Sequence, residues 1–376
     1  MFLLDDDIKH AISLCITHGI PFAVYAMPGD AHCSFIASDP RRHTDGCAIS
    51  PAEIDGFNGF LFNRFEVNDT LHAYGIRREL SSSEAIALAD SLPEVNASST
   101  TAYESTGYES YRRQVESITA AISSESEKVV LSHVVTIPSS LDPATVADAY
   151  FSKHPSCFRY IYCTPESDVW IGATPELLLS VDRLSGDITS MSLAGTRRAA
   201  DDEPWDRKNT LEHNIVTDYI VGILTPFCDS VSRPERARVK FGDIEHMCHL
   251  IRAKASRIDL QALLPQLSPT PALCGYPRDK AMALITQNEQ FRRNCYGGFV
   301  GVSSPERSSF FVNLRCAFTQ PFAGKDPHTY TLYGGGGLTC HSLSESEWLE
   351  AKSKMASLIN ILSDQSSRLS SFSHET

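Results

Sequence analysis

Residues 330–362 read YTLYGGGGLTCHSLSESEWLEAKSKMASLINIL, and the interpretation of the whole chain starts from this stretch. A short apolar strand enters four consecutive glycines, Gly334 to Gly337, and an acidic helical pattern follows. Because glycine has no Cβ, such a run either turns the chain at positive φ or brings backbone N–H groups close to an anion. The glycines alone favour a tight turn.

The helical pattern after the glycines has two interpretations. Glu347, Glu350 and Lys354 are three and four residues apart, so a helix places them on one face. Grouped carboxylates suit Mg²⁺, which prefers oxygen ligands. Alternatively, Ser344 with Glu347 forms a capping box, and Glu350 with Lys354 forms a surface ion pair. The segment alone favours the second interpretation, so the choice depends on the rest of the chain.

Composition limits the classes of function. The 376 residues are 42% hydrophobic and 21% charged, which is typical of a soluble globular protein. The net charge of -13 argues against nucleic acid binding, which requires a basic surface. It is compatible with a small anionic ligand that a local basic group or a bound cation holds.

The sequence also predicts a cytoplasmic protein. The opening MFLLDDDIKH is acidic where a signal peptide is basic, and no apolar stretch reaches the length of a membrane span. The 11 cysteines contain no CxxC pair, so we expect reduced thiols rather than a zinc site or a disulfide framework.

Hydrophobic periodicity predicts alternating helices and antiparallel strands. Helices are expected over 5–20, 108–123 and from about Asp206, and a Ser-rich surface connection over 80–106. Segments 239–256 and 308–320 are each expected to form one strand, and no glycine-rich phosphate loop occurs in the required context. The pattern therefore favours an α+β fold over a doubly wound one.

Four charged residues lie in or beside apolar segments, and each has two interpretations. Lys128 begins a buried strand, either as a snorkelling edge residue or as a desolvated base. Glu176 precedes an apolar run, either as an edge residue or as a proton donor with a raised pKa. Glu212 completes a capping box with Asn209 or supplies a metal ligand. Arg315 requires an anionic partner, which is either a protein carboxylate or a ligand carboxylate.

Read together, the motifs resemble the chorismate-utilising enzymes, and among them the isochorismate synthases. The matching segments, in chain order, are KVVLSH, GATPELLLSV, LAGTRR, the pair Glu212-His213, MCHLIR, SPTPALCGYPR, YGGFVGV, VNLRCA, and GGGGL followed by SEWLEAKSK. They cover about residues 108–362. The resemblance implies a single large α+β domain in which two antiparallel sheets pack together with flanking helices. It divides the chain into a divergent N-terminal part at 1–106, a catalytic region at 107–362 and a flexible tail at 363–376.

The resemblance also implies a role for each matching residue. The metal site would bind Mg²⁺ through Glu212 and Glu350, with Glu347 as a direct or water-mediated ligand. The substrate-binding residues would be Gly195, Thr196, His249, Arg315, Gly335 and Lys354. Lys128 would take a proton from the attacking water, and Glu176 would protonate the departing hydroxyl group.

Several alternatives and departures remain open at this stage. Salicylate synthases share the lysine and additionally release pyruvate, so they are the alternative to an isochorismate synthase. The product is expected to serve menaquinone synthesis, with a siderophore pathway as the other possibility. The resemblance implies that the chain binds chorismate as its substrate and is a monomer. It is expected to bind no glutaminase subunit, no membrane and no nucleic acid. The chain departs from the usual family pattern at His133, Ser268, Arg292 and Asn294.

Overall fold

The computed structural model describes residues 4–43, 46–66, 71–95, 103–200, 204–241, 244–320 and 328–363. Its helices are α1 Asp6–His18, α2 Ser82–Ala89, α3 Tyr108–Ala121, α4 Pro143–Lys153, α5 Arg207–Leu224, α6 Leu260–Leu267, α7 Arg278–Asn288 and α8 Ser344–Ser363. Its strands are β1 Phe22–Ala26, β2 Ser34–Ala37, β3 Ala48–Ile49, β4 Gly59–Asn63, β5 Ala73–Arg77, β6 Lys128–Ser139, β7 Phe158–Cys163, β8 Val169–Thr174, β9 Leu177–Asp182, β10 Asp187–Arg198, β11 Ser230–Ser232, β12 Ala237–Phe241, β13 Ile244–Lys254, β14 Gly275–Tyr276, β15 Phe299–Ser303, β16 Arg307–Val312, β17 Cys316–Thr319 and β18 His328–Leu338.

Two antiparallel sheets form the fold, as the family resemblance implies. The first sheet has 8 strands in the order β14-β6-β18-β17-β8-β7-β1-β2. The second has 10, in the order β11-β13-β10-β9-β16-β15-β4-β5-β3, with β12 also paired to β13. Strands from the first hundred residues lie in both sheets. The predicted flexible tail, apart from Ser363, and residues 96–102 of the predicted surface connection lie outside the described residues.

Aromatic side chains fill the space between the sheets. Phe158 of the first sheet stacks on Phe311 of the second, with ring centroids 4.3 Å apart. Phe60 of the second sheet packs in turn against Tyr162 of the first, at 5.3 Å. These rings belong to one large buried cluster. Since interior packing is close to crystalline density, this core fixes the two sheets relative to each other.

Helices cover the outer faces of the sheets. The N-terminal helix α1 illustrates how local sequence sets their ends. Asp5 caps it by accepting a hydrogen bond from the backbone N–H of Ile8 at 2.7 Å, and Gly19 ends it in the left-handed conformation at φ 66°. The helices α3 and α8 pack on β6 and β18, whereas α5 packs on β10 and β13. Helix α4 lies in a segment to which the sequence analysis assigned no element.

Two neighbouring strand pairs pass from one sheet to the other. The chain leaves β8 in the first sheet and enters β9 in the second through Pro175 and Glu176. It returns from β16 to β17 through residues 313–315, so the single strand predicted over 308–320 is wrong. Each break accepts a hydrogen bond from a strand of the other pair. The N–H of Val312 donates to the carbonyl of Glu176 at 2.9 Å, and the N–H of Ala173 donates to the carbonyl of Arg315 at 3.2 Å. Both Glu176 and Arg315 therefore lie where the sheets separate.

The strand predicted over 239–256 is also interrupted. The structure has a hairpin here, in which β12 pairs antiparallel with β13, and the connecting residues 242–243 lie outside the described residues. Across the part of the chain that the structure describes, no helix is long and apolar enough to cross a membrane.

Candidate active site

The four glycines are part of a continuous strand rather than a turn. Gly334 to Gly337 pair with 130–133 of β6 in regular antiparallel register, so the predicted tight turn is wrong. A Cβ on Gly337 would lie 2.4 Å from Cε of Lys128 and 2.5 Å from Oε1 of Glu212. A Cβ on Gly336 would lie 2.8 Å from Oε2 of Glu347. Glycine is required because charged side chains cross this strand at closer range than a methyl group allows.

Each of the three predicted metal ligands forms an ion pair with a lysine. Lys128 Nζ lies 2.9 Å from Glu212 Oε1, Lys208 Nζ lies 2.8 Å from Glu347 Oε1, and Lys354 Nζ lies 2.7 Å from Glu350 Oε1. The side chains of Lys128 and Glu347 are almost completely buried. Lys208 is the partner that the sequence analysis missed. It lies one helical turn before Glu212 on α5, and this spacing was the only available signal.

These pairs replace the local contacts that the sequence suggested. Helix α5 is capped by Asp206, which accepts from the N–H of Asn209 at 2.7 Å, so the predicted capping box of Asn209 with Glu212 does not form. Glu347 accepts a hydrogen bond at 2.7 Å from the hydroxyl of Ser342, and its partner is not Ser344. The pair of Lys354 with Glu350 does form, as the local spacing predicts.

The carboxylates influence each other's protonation. Burial raises the pKa of Glu347, and the nearby charge of Glu350 raises it further, against the opposing effect of Lys208. Burial also acts to raise the pKa of Glu350, but the charges of Lys354 and Lys208 outweigh it and hold the pKa well below its usual range. The two carboxyls therefore compete for the same positive charge.

The donor chemistry of this cluster fits Mg²⁺. All its candidate ligands are carboxylate oxygens, and Oε2 of Glu347 is buried without a hydrogen-bond partner. Among the described residues, however, no three His, Cys, Asp or Glu side chains are close enough to hold a metal ion in their present positions. A bound ion would consequently draw these carboxylates away from their lysine partners.

Glu176 lies in an environment that keeps its carboxyl group neutral. Its side chain is buried, and Oε1 has no hydrogen-bond partner. Burial raises its pKa to about 8, although the charges of Lys128, Arg315 and Lys354 oppose the rise. At neutral pH the group is therefore largely protonated and able to donate a proton.

Arg315 presents a buried guanidinium group in a strained backbone position. It lies at the break between β16 and β17 with φ 54°, rather than in the middle of a strand. Its Nη1 donates to the carbonyl of Lys354 at 3.1 Å, and the Phe241 ring lies 4.7 Å from its Cζ. No ion pair joins Arg315 to a carboxylate of the described residues, which favours a ligand carboxylate as its partner.

A β-bulge forms the opposite wall of the site. In the pairing of β10 with β13, Ala194 lies opposite Met247 and Thr196 lies opposite His246, so Gly195 is the extra residue. Gly195 has φ 75°, and a Cβ there would lie 2.6 Å from Cε of Met247. Asn209 of α5 fixes the bulge by accepting a hydrogen bond from the N–H of Thr196 at 2.9 Å.

His249 does not line this wall, contrary to the position that the resemblance implied. Its Nδ1 lies 2.8 Å from Nε2 of His213, and the two rings stack beside α5. The histidine that faces the site is His246. The two histidines lie three residues apart on one strand, which places them on opposite faces.

These groups line one open cleft that contains about 610 Å³ of empty space, including solvent outside its mouth. Of the predicted site residues, the wall contains Glu176, Gly195, Thr196, Glu212, Arg315, Gly335 and Lys354. The wall also contains His246, Tyr296 and Tyr333, which no sequence pattern singled out. Lys128, Glu347 and Glu350 lie directly behind the wall, against Gly336 and Gly337.

The departures from the family pattern fit their surroundings. Asn294 has φ 50°, a conformation that asparagine tolerates better than most residues. His133 is buried and stacks on Trp348 at 4.4 Å. Arg292 is exposed, and its carbonyl accepts from the hydroxyl of Tyr333 at 2.9 Å. Ser268 is buried, and its N–H donates to the carbonyl of Leu264 at 2.9 Å.

Comparison with known proteins identifies similar chains. A family model described as chorismate binding enzyme matches residues 60–363. Isochorismate synthase EntC of Escherichia coli (strain K12) is 28% identical over 250 residues, 62% of each chain. Isochorismate synthase DhbC of Bacillus subtilis (strain 168) is 30% identical over 206 residues, 51% of this chain and 50% of the relative. The chain thus matches between about half and two thirds of the length of these relatives.

The fold has a counterpart among solved structures. MenF, the menaquinone-specific isochorismate synthase from Escherichia coli, superposes with a TM-score of 0.71 over 94% of this chain and 91% of that one. The sequence identity in this superposition is 20%. The likeness establishes the two-sheet fold.

Proposed function

Because the chain belongs to the chorismate binding enzyme family, we propose that it is an isochorismate synthase, which converts chorismate to isochorismate. The proposed reaction adds water at C2 of the ring and removes the hydroxyl group at C4. The strongest support is that one cavity is lined by a protonated acid, Glu176, and backed by a buried amine, Lys128. Such a pair suits a reaction that activates one oxygen group and protonates another.

The proposed substrate position follows from the charges on the cavity wall. Arg315 and Lys354 are the cationic side chains on the wall, so they would hold the pyruvyl carboxylate. The backbone at Gly335 would assist by positioning Lys354, since its carbonyl accepts a hydrogen bond from Nζ at 2.7 Å. The ring would lie against the bulge at Gly195 and Thr196.

We assign the proposed metal site to the carboxylates behind the glycine strand. Glu212 and Glu350 would hold Mg²⁺, with Glu347 as a direct or water-mediated ligand. When bound, the ion would supply positive charge that anchors the ring carboxylate. Glu212 and Glu350 would exchange their lysine partners for the ion, whereas Lys208 would remain close to Glu347 as a second positive charge.

The proton transfers belong to residues of the chain. Lys128 would take a proton from the attacking water, whereas Glu176 would give its proton to the departing hydroxyl group. In the present arrangement Lys128 Nζ forms an ion pair with Glu212 Oε1 at 2.9 Å. The base role therefore requires that Glu212 find another partner when the site is filled.

Product analysis tests the proposal directly. Purified protein would be incubated with chorismate and Mg²⁺, and the products identified by liquid chromatography and mass spectrometry. Isochorismate in equilibrium with chorismate, without pyruvate and abolished by EDTA, is the expected result. A parallel reaction with ammonium tests for amination.

Two outcomes would overturn the proposal. Stoichiometric pyruvate with salicylate would identify a salicylate synthase. Binding of chorismate without any product would identify a protein that has the fold but lacks the activity.

The pathway is proposed separately. We retain menaquinone synthesis as the expected destination of isochorismate, and a siderophore pathway is the alternative. Deletion of the gene in its native host would distinguish them, since menaquinone and siderophore levels can be measured in the same cells. The expectations of a monomer, of a cytoplasmic location and of no glutaminase subunit remain predictions.

A further inference from the structure

His246 connects the two halves of the cavity. It lies on β13 opposite Thr196, immediately beside the bulge at Gly195, and its side chain is buried on the cavity wall. One ring nitrogen faces the bulge, and the other faces Arg315, which comes from the break between β16 and β17. The imidazole thus connects the bulge, which is proposed to contact the substrate ring, with Arg315, which is proposed to hold a substrate carboxylate.

The partners of the ring fix its tautomer. Nδ1 lies 3.1 Å from the carbonyl oxygen of Gly195, which can only accept, so Nδ1 carries the hydrogen. Nε2 lies 3.0 Å from Nη2 of Arg315, which can only donate, so Nε2 is the acceptor. The hydroxyl of Thr196 lies 3.1 Å from Nδ1 and is compatible with this arrangement. The ring is therefore a neutral imidazole with its hydrogen on Nδ1.

The electrostatic surroundings agree with this assignment. Burial, together with the charges of Arg315 and Lys354, lowers the pKa of His246 to about 3. A second hydrogen on the ring would point at the guanidinium group. The neutral form is consequently the one that this site accommodates.

A neutral hydrogen-bond acceptor such as His246 can orient Arg315 without reducing the positive charge that attracts a ligand. A carboxylate at this position would orient Arg315 equally well, but it would also neutralise the charge that attracts an anionic ligand. The other contacts of Arg315 are a backbone carbonyl and an aromatic ring, which likewise leave its charge available.

We propose that His246 is a positioning residue that sets the orientation of Arg315 and its distance from the bulge at Gly195. It thereby selects ring substrates that carry a carboxylate at a fixed offset from the ring. This inference rests on the proposed function, because it assigns Arg315 to the substrate carboxylate.

Kinetics with chorismate and Mg²⁺ test the inference through three variants. His246→Ala removes the acceptor and is expected to raise KM roughly 10- to 100-fold, as expected for loss of a hydrogen bond to a charged group, with kcat within about threefold of wild type. In His246→Gln the amide oxygen can accept from Arg315, so most of the affinity is expected to return. His18→Gln is the matched control, since this histidine ends α1 and its Nδ1 lies 2.9 Å from the Leu92 carbonyl, outside the cavity wall.

A second comparison separates positioning from general damage. In the Arg315→Ala background, His246→Ala is expected to have little further effect on KM, because the two residues act as one unit. Independent effects on KM would overturn the inference, as would equal losses in the alanine and glutamine variants. A defect confined to kcat would also overturn it.

A spectroscopic readout keeps the inference testable if the reaction itself is different. Long-range ¹H–¹⁵N correlation spectra of labelled protein distinguish the two neutral tautomers, and the His246 signals are assigned by their loss in His246→Gln. The expected pattern is a protonated Nδ1 with an unprotonated Nε2. Calorimetry would then measure chorismate binding by the same variants without turnover.

These readouts distinguish the two possible failures. A correct tautomer with His246-dependent binding but no isochorismate would reject the proposed reaction and keep the positioning role. The opposite tautomer, or binding that is indifferent to His246→Ala, would reject the positioning role even if isochorismate is formed.

Discussion

Lys128 and Glu212 form an ion pair of 2.9 Å that passes directly over the α-carbon of Gly337. The lysine begins β6 in the first sheet, whereas the glutamate projects from α5, which packs on the second sheet. The pair therefore joins two layers of the fold at the back of the cavity. Its position depends on a glycine that leaves room for both side chains.

Two glycine variants are predicted to differ in severity. Gly337→Ala would place a methyl group 2.4 Å from Cε of Lys128 and so displace this side chain. Because small displacements of catalytic groups slow turnover strongly, we expect kcat to fall by about 10²-fold or more. In Gly336→Ala the methyl group meets only the end of the Glu347 side chain, at 2.8 Å, which can move away. The milder variant is the control. Circular dichroism would confirm folding of both, and equal activities would contradict the proposed crowding.

The proposed acid and base are predicted to affect turnover more than binding. Lys128→Ala and Glu176→Gln are each expected to lower kcat by roughly 10²- to 10⁴-fold, the usual contribution of general acid–base catalysis. Chorismate affinity, measured by calorimetry with Mg²⁺, is expected to change only a few fold, since neither residue anchors a carboxylate. Lys280→Ala removes an ion pair with Glu127 and serves as the lysine control. Parallel losses of binding and turnover would count against the assignment.

The raised pKa of Glu176 predicts a pH-dependent stability. Between the unfolded value of 4.5 and the folded value of about 8, the folded state keeps a proton that the unfolded state releases. The stabilisation from this group is complete below pH 4.5 and falls by about 1.4 kcal/mol per pH unit until pH 8. Urea unfolding of wild type and Glu176→Gln from pH 4.5 to 9 would measure it. The unfolding free energy of wild type minus that of Glu176→Gln should decline between pH 4.5 and about pH 8 and become constant above pH 8.

A constant difference over the whole pH range would show that Glu176 ionises normally. In that case the carboxyl group would be charged at neutral pH and unsuited to donate a proton. The same curve therefore tests the acid role without any assay of turnover.

Lys208 and Glu350 are predicted to change Mg²⁺ affinity in opposite directions. Lys208→Met removes the cation that is paired with Glu347. We therefore expect Mg²⁺ to bind about tenfold more tightly, which corresponds to about 1.4 kcal/mol of binding free energy. Without Mg²⁺ this variant leaves buried carboxylates uncompensated and should lose roughly 3–5 kcal/mol of stability. Glu350→Gln should weaken Mg²⁺ and chorismate binding together.

Calorimetric titration with MgCl₂ and thermal unfolding with and without the ion would measure both effects. Stabilisation by Mg²⁺ should be larger in Lys208→Met than in wild type. If Mg²⁺ stabilises neither protein, the carboxylates are not its ligands.

The chemistry of individual residues was largely accessible from the sequence. The charged residues in apolar segments, such as Glu176 and Arg315, were identified because burial of a charge requires a partner or a function. Helix ends at Gly19 and near Asp206 followed from residues that cap helices. The α+β class followed from strand periodicity, whereas the two packed sheets were implied by the family resemblance that the motifs carry.

The breaks in the strands were not accessible in this way. The segments around Glu176 and Arg315 are apolar on both sides of the break, because each sheet is covered on both faces there. An apolar run does not record which sheet buries it. The bulge at Gly195 had a similar effect, because one extra residue in β10 changes which residues of β13 lie opposite it, and the histidine beside the bulge is His246.

The sequence by itself determined which residues can carry charge into the core and which segments form helices and strands. Only the tertiary structure decided which charges meet. The glycine run became a crossing point rather than a turn, and Glu347 paired with Lys208, 139 residues away, rather than with its capping partner. Hydrophobic periodicity shows only which residues of one helix or one strand lie on the same face. Ion pairs between layers depend on how the sheets and helices pack. A buried carboxylate is destabilising without a partner, so it pairs with whichever cation the packing brings close.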